Sequence, residues 1–195
     1  MAALMAHLGI YTAALGKLAR DVSLLMQQEV GELSEPGGGS SAMPNKRNPA
    51  GSIVILAAAS RLPGLVAAFL SGMTQEHERA AGGWQAEWPT VAAAVESTGG
   101  ALAAAADLVA GLTVNADRMR ANLVATHGVV FAEKAAMILA RKVGRTAAHE
   151  RLAEASREAA ATGRPLGDIL QMDGLDCPED YLGESERFRK QLLKS

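Results

Sequence analysis

Between Ala2 and Leu33 the residues Leu4, Leu8, Tyr11, Leu15, Leu18, Val22, Leu25, Met26, Glu29 and Leu33 recur at steps of three and four, all but Glu29 apolar or aromatic. That repeat is one face of a helix, and no proline interrupts it. A helix over the whole span would be about 48 Å long at 1.5 Å per residue, which calls for long neighbours to lie against. Pro36 ends the pattern, and Gly37-Gly38-Gly39-Ser40-Ser41 predicts a mobile loop. The loop closes at Asn48-Pro49, where Asn48 suits a helix cap and Pro49 the first helical position, ahead of the apolar run Ile53 to Leu70. Pro63 predicts a kink in that second helix.

Thr74 to Pro89 breaks the pattern with charge, glycine and both tryptophans, Trp84 and Trp88. A third helix is expected from about Thr90 to Leu112, and a short fourth behind a cap at Asn115, running through Leu123. His127-Gly128 marks a boundary. Beyond it the pattern predicts helices over Val129 to Val143 and Thr146 to Thr162, a helical turn after Pro165 and a charged helix from about Glu184. Alternating strand patterns and a fixed-period repeat are both missing. The expectation is an all-α protein: a partial helical-bundle domain over 1–125 that carries the loop 36–49, and a small helical domain over 126–195.

Composition sharpens this reading. The 195 residues include 39 alanines and only seven aromatics, so the apolar content is small side chains that favour helix and close packing. Nineteen Lys and Arg against 21 Asp and Glu leave a net charge of −2, which argues against a nucleic-acid partner. Cys177 is the single cysteine, so an internal disulfide is excluded and a reduced, cytoplasmic setting is expected. The first sixteen residues lack the basic start of a secretion signal. Val91 to Leu112 has spanning length but contains Glu96, Asp107 and Gly99-Gly100, so no membrane segment is expected. His7, His77, His127 and His149 lack metal-ligand spacing, and the expectation is no metal and no cofactor. His7 reads as a packed or partly exposed bundle residue, His77 as part of a solvated charge cluster, and Trp84 and Trp88 as packing anchors.

The loop is where chemistry concentrates. A glycine hinge carries two hydroxyls, then Lys46 and Arg47, and ends at a helix N-terminus. Free first-turn N–H groups beside a lysine make an anion site. A serine held next to a bound carboxylate can move a proton at the neighbouring carbon, because the lysine and amides take up the charge that develops. Serine is a very poor base in water, so this requires the loop to desolvate it. Composition alone favours a flexible Gly/Ser linker with a basic tail.

Order decides between these readings. The string Gly39-Ser40-Ser41-Ala42-Met43-Pro44-Asn45-Lys46-Arg47-Asn48-Pro49 resembles the signature of the fumarase/aspartase superfamily, Gly-Ser-Ser-x-Met-Pro-x-Lys-x-Asn-Pro, at every fixed position. The resemblance implies that Ser41 is the proton-transferring residue, with Ser40 as its hydrogen-bonding neighbour. It implies that Met43, Lys46 and Asn48 contact the substrate, the last two orienting a carboxylate. It further implies a small polycarboxylate substrate and a largely helical subunit in a homotetramer whose active sites combine segments of three subunits.

The C-terminal stretch, His127-Gly128-Val129-Val130-Phe131-Ala132-Glu133 through Gly144 to Glu150, looks like the small third domain shared by the superfamily's adenylosuccinate lyases and its bacterial lactonising cycloisomerases. Gln75-Glu76-His77-Glu78-Arg79 with Trp84-Gln85-Ala86-Glu87-Trp88 is similar to the cycloisomerase branch, and adenylosuccinate lyase is the alternative. Asn45 and Gln85 stand where histidine is usual. A lactone opens by losing the substrate's own carboxylate, with a solution pKa near 4, whereas an amine leaving group needs an acid. The missing histidines are therefore less damaging to a cycloisomerase. Members are roughly twice this long, so the chain reads as a portion of a larger enzyme, a split subunit or an idle oligomerisation module.

Overall fold

The computed structural model describes residues 1–43 and 46–194, and the chain divides into two compact units, Met1–Arg118 and Met119–Ser195. In the first, three long helices pack side by side: α1 (Ala2–Leu25), α2 (Ala50–Ser71) and α3 (Gly83–Ala110). Helix α2 packs against both others. The buried line of α1 is Met5, Thr12, Gly16, Ala19 and Val22. Opposite it lie Ile55, Ala58, Leu62 and Phe69 of α2 and Ala94, Thr98, Ala101, Ala105 and Leu108 of α3. Small residues set the spacing, since a Cβ on Gly16 would come within 2.6 Å of the Ala59 methyl. The polar atoms in this interior are partly paired, Thr12 Oγ1 with Thr98 Oγ1 at 3.1 Å, and the Thr98 hydroxyl with Ala94 O at 2.8 Å.

The buried line of α1 is offset from the large apolar residues that announce the helix. Leu4, Tyr11 and Leu18 are exposed, as are Ile10, Ile53, Val54 and Val109. Close packing selects the glycine and alanine side, which leaves a second apolar face of the three-helix unit open. By length and composition α1 and α2 are each long and apolar enough to cross a membrane, where the sequence reading expected no membrane segment.

Helix α1 stops at Leu25, short of the expected Leu33. Gly31 takes φ +63°, the Glu32 amide turns back to Leu25 O at 2.9 Å, and the Arg118 guanidinium binds Val30 O and Glu29 O at 2.9 and 2.7 Å. The chain then forms β1 (Leu33–Ser34), paired antiparallel with β2 (Thr113–Val114), a two-residue ladder that the sequence pattern did not announce. Helix α2 runs unbroken through Pro63. Helix α3 begins at Gly83, earlier than Thr90, because Gln85 Oε1 accepts the Gly82 N–H at 2.8 Å and Trp84 stacks edge-on against Trp88 at 5.0 Å. Asn115 caps the next helix, its Oδ1 accepting the Arg118 amide at 3.0 Å. That helix, α4, covers Ala116–Val124.

In the second unit a 3-10 turn (Val129–Phe131) leads into α5 (Ala132–Val143), followed by α6 (Arg145–Thr162), α7 (Leu166–Leu170) and α8 (Ser185–Leu192). Its core joins Phe131, Ala135, Leu139, Ala148, Leu152, Ala155, Leu166, Leu170 and Leu175. The Arg120 guanidinium pairs with Glu179, which holds that carboxyl at about 2. Burial, with the nearby Asp168 charge, pushes the Asp176 carboxyl above its ordinary value.

Candidate functional site

The loop between β1 and α2 is closed at its base. Gly38 O accepts the Asn48 N–H at 2.7 Å, and Gly39 bridges Arg47 in antiparallel sense. Gly38 has φ +66°, and a Cβ there would lie 2.0 Å from Asn48 O. Only glycine fits this crossing, for both backbone conformation and space. Pro36 is seated in a second glycine notch, where a Cβ on Gly111 at the end of α3 would come within 2.5 Å of its ring. The sequence therefore needs its glycines here for contact as well as for freedom.

Above the base the two arms carry the expected residues. Ser40 and Ser41 lie on the outgoing arm, Lys46 and Asn48 on the returning one, and the Gly39–Arg47 bridge sets Ser40 across from Lys46 in register. Ser40 Oγ accepts the amides of Ala42 and Met43 at 3.3 and 3.1 Å, so this hydroxyl folds the turn. Ser41, Met43 and Lys46 are exposed, and Ser41 Oγ has no hydrogen-bond partner among the described residues. Asn48 is half-buried at the crossing. Pro44 and Asn45 of the signature lie outside the described residues.

The start of α2 differs from expectation. Its N-cap is Pro49, without a side-chain cap, and Asn48 is engaged with Gly38 instead. The first-turn amide of Ser52 is already used by Glu35, whose Oε2 accepts it at 3.1 Å. The helix terminus is thus partly filled by the chain's own carboxylate rather than free for an anion. Glu35 was not among the residues that the sequence singled out. Next to Pro36 and the glycines it reads as a solvated loop residue, yet it is 4% exposed.

The second chemistry-rich segment lies at the far end of α2. Gln75 organises it: its Nε2 donates to Gly72 O at 3.0 Å and to Glu87 Oε1 at 2.9 Å, and its Oε1 accepts the Ala80 amide at 3.2 Å. His77 and Arg79 take φ +54° and +53°, a strained conformation for such residues. Arg79 lies over the Trp84 ring at 5.8 Å. With 22 residues, α2 holds this segment about 33 Å from the serine loop, so one chain does not bring His77 to Ser41. His7 bonds its own helix through Nδ1 to Ala3 O at 2.6 Å, and Cys177 donates to Glu179 at 3.3 Å. Among the described residues no cluster of three or more His, Cys, Asp or Glu could hold a metal ion.

The profile of a family described as Lyase matches residues 1–64. The chain is 44% identical over 203 aligned residues to 3-carboxy-cis,cis-muconate cycloisomerase of Pseudomonas aeruginosa, an alignment that covers 95% of this chain and 44% of that protein. It is also 44% identical over 162 residues to nitrosuccinate lyase of Streptomyces davaonensis, covering 81% of this chain and 34% of that one. Among solved structures it superposes on the 3-carboxy-cis,cis-muconate lactonizing enzyme from Pseudomonas putida with a TM-score of 0.82 and 42% identity, over 94% of this chain and 45% of the other. The chain spans less than half the length of these relatives.

Proposed function

The chain belongs to the fumarase/aspartase superfamily, and on that premise we propose that it supplies the serine-bearing part of the active site of a 3-carboxy-cis,cis-muconate cycloisomerase. The observation that carries this reading is the Gly38–Asn48 closure, which sets Ser40 and Ser41 on one arm against Lys46 and Asn48 on the other. In the lactone-forming direction one substrate carboxylate adds across a carbon–carbon double bond, and the adjacent carbon takes the Ser41 hydroxyl proton. A second carboxylate, bound by Lys46 and Asn48, absorbs the charge that builds on that carbon. In the reverse direction Ser41 removes the same proton and the lactone oxygen leaves as a carboxylate, which needs no general acid. Ser40 shapes the turn and Met43 offers an apolar contact. No resident metal or cofactor takes part in this scheme.

An exposed serine cannot act in water, so the site must be finished by other surfaces. The distance along α2 and the open apolar face of the three-helix unit support a homotetramer in which different subunits complete each site. We place it as a soluble, cytoplasmic enzyme of aromatic breakdown through protocatechuate. Ser41→Ala in the assembled enzyme tests the reading: turnover should fall by about 10²–10⁴-fold with an unchanged helical circular-dichroism spectrum. An unaffected rate would remove the serine from the mechanism. A C–N lyase of the adenylosuccinate lyase kind is the second reading, favoured by the identity to a nitrosuccinate lyase. Turnover of an N-succinyl substrate, with none of the carboxymuconate, would select it.

A further inference from the structure

Glu35 and Ser52 form a buried polar pair that the proton-transfer scheme leaves unused. Glu35 is 4% exposed and Ser52 fully covered. Glu35 Oε2 accepts the Ser52 amide, while Glu35 Oε1 and Ser52 Oγ are both buried without a hydrogen-bond partner. A carboxylate enclosed with one visible donor is costly, and side chains of that kind rarely persist unless the surrounding structure uses them. Two features show that this enclosure is built. Gly51 leaves room for the carboxylate, because a Cβ there would lie 2.9 Å from Oε2. Pro36, the next residue, is locked into the Gly111 notch.

The consequence lies in the connectivity. Glu35 is on the entry side of the loop, immediately before the glycine hinge, whereas Ser52 is in the first turn of the helix on the exit side. Their bond is a helix cap supplied from across the loop, to a helix whose own N-cap residue provides no side-chain cap. We propose that Glu35 is a positioning residue for Ser41: by capping α2 from the entry strand it fixes where the outgoing arm starts relative to the returning arm that carries Lys46 and Asn48. This rests on the role proposed above for Ser41, which Glu35 serves without touching substrate.

The test uses Glu35→Ala, Glu35→Gln and Gly51→Ala in the assembled enzyme, each measured well below its melting temperature. Glutamine keeps an acceptor for the Ser52 amide and adds a donor for Ser52 Oγ, so Glu35→Gln should stay within threefold of the parent in kcat. Glu35→Ala should lower kcat per folded molecule at least tenfold with KM within threefold, because fewer substrate-bound molecules hold the two arms in register. It should also speed amide hydrogen exchange at least tenfold at Asn48 and Ser52, whose N–H groups bond Gly38 O and Glu35 Oε2, leaving Ile55 to Leu62 unchanged. Gly51→Ala, which pushes the carboxylate out without altering it, should reproduce both effects. Unchanged exchange and kcat in Glu35→Ala, or a Glu35→Gln enzyme as impaired as Glu35→Ala, would overturn the proposal. Exchange reads the cap directly, so a failure of Ser41→Ala to affect turnover would count against the proposed function and leave the cap to be judged by exchange.

Discussion

Gly37 and Gly38 are neighbours that share a left-handed φ, +78° and +66°, yet their surroundings differ completely. A Cβ at Gly37 meets nothing within 4 Å, whereas one at Gly38 would lie 2.0 Å from Asn48 O and 3.0 Å from its carbonyl carbon. Gly37→Ala therefore carries only the left-handed penalty, about 1–2 kcal/mol, offset by about 0.4–1 kcal/mol because the unfolded chain becomes stiffer. Gly38→Ala carries the same strain and also forces apart two backbone segments, with loss of the Asn48 N–H to Gly38 O bond, about 1 kcal/mol more. With relief of the clash the total comes to about 2–4 kcal/mol, taken from the geometry that sets the two arms together. At 1.36 kcal/mol per decade, kcat/KM should drop roughly 30- to 1000-fold for Gly38→Ala and by no more than about fifteenfold for Gly37→Ala. The assay is steady-state lactone formation by both variants, beside amide exchange at Asn48, which should accelerate in Gly38→Ala alone. Equal effects of the two substitutions, or a Gly38→Ala enzyme within threefold of the parent, would refute the closed base as the feature that organises the site.

Two further outcomes test the scaffold. Leu62 is fully buried among Met5, Phe69 and Ala94, so Leu62→Ala should cost about 2–5 kcal/mol, read as a lowered urea midpoint with an unchanged slope. The Arg120 pairing holds the folded Glu179 carboxyl at about 2 against an ordinary 4.5, so its contribution is complete above pH 4.5 and is lost as pH falls toward 2. Arg120→Gln should therefore flatten the acid side of the melting-temperature profile between pH 4.5 and 2, and an unchanged profile would show the pair to be idle.

Local chemistry was legible where it is local. Asn115, a predicted cap, caps α4, and the helix ends expected at Val143 and Thr162 are where α5 and α6 stop, followed by Gly144 and Gly163 with φ +84° and +72°. The all-α class and the family were legible because helical periodicity and a contiguous signature need no knowledge of tertiary contacts. Most of what the sequence pattern misses depends on partners remote in sequence; the start of α3, set by neighbours three and four residues apart, is the exception. Leu33 keeps the helical phase of α1, but the chain beyond Leu25 is held in a turn whose Glu29 and Val30 carbonyls are bound by Arg118, nearly ninety residues on. Glu35 looks solvated until α2 folds its first turn over it. Gly82-Gly83 and Pro89 read as a loop, whereas the Gln85 cap and the Trp84–Trp88 pair start α3 there. The apolar face of α1 was visible, but which side would be buried depended on the closeness that Gly16 and Ala59 permit.

The short ladder of β1 and β2, with Pro36 in its notch, gives the two ends of the serine loop different anchors. The entry follows the tail of α3 and the exit follows the head of α2. Any slippage between those two helices is thus delivered to the loop as shear, and the Ile55, Ala105 and Leu108 contacts beneath it set how much can occur. Substitutions in that patch should show themselves as sluggish turnover at temperatures where the fold is still whole.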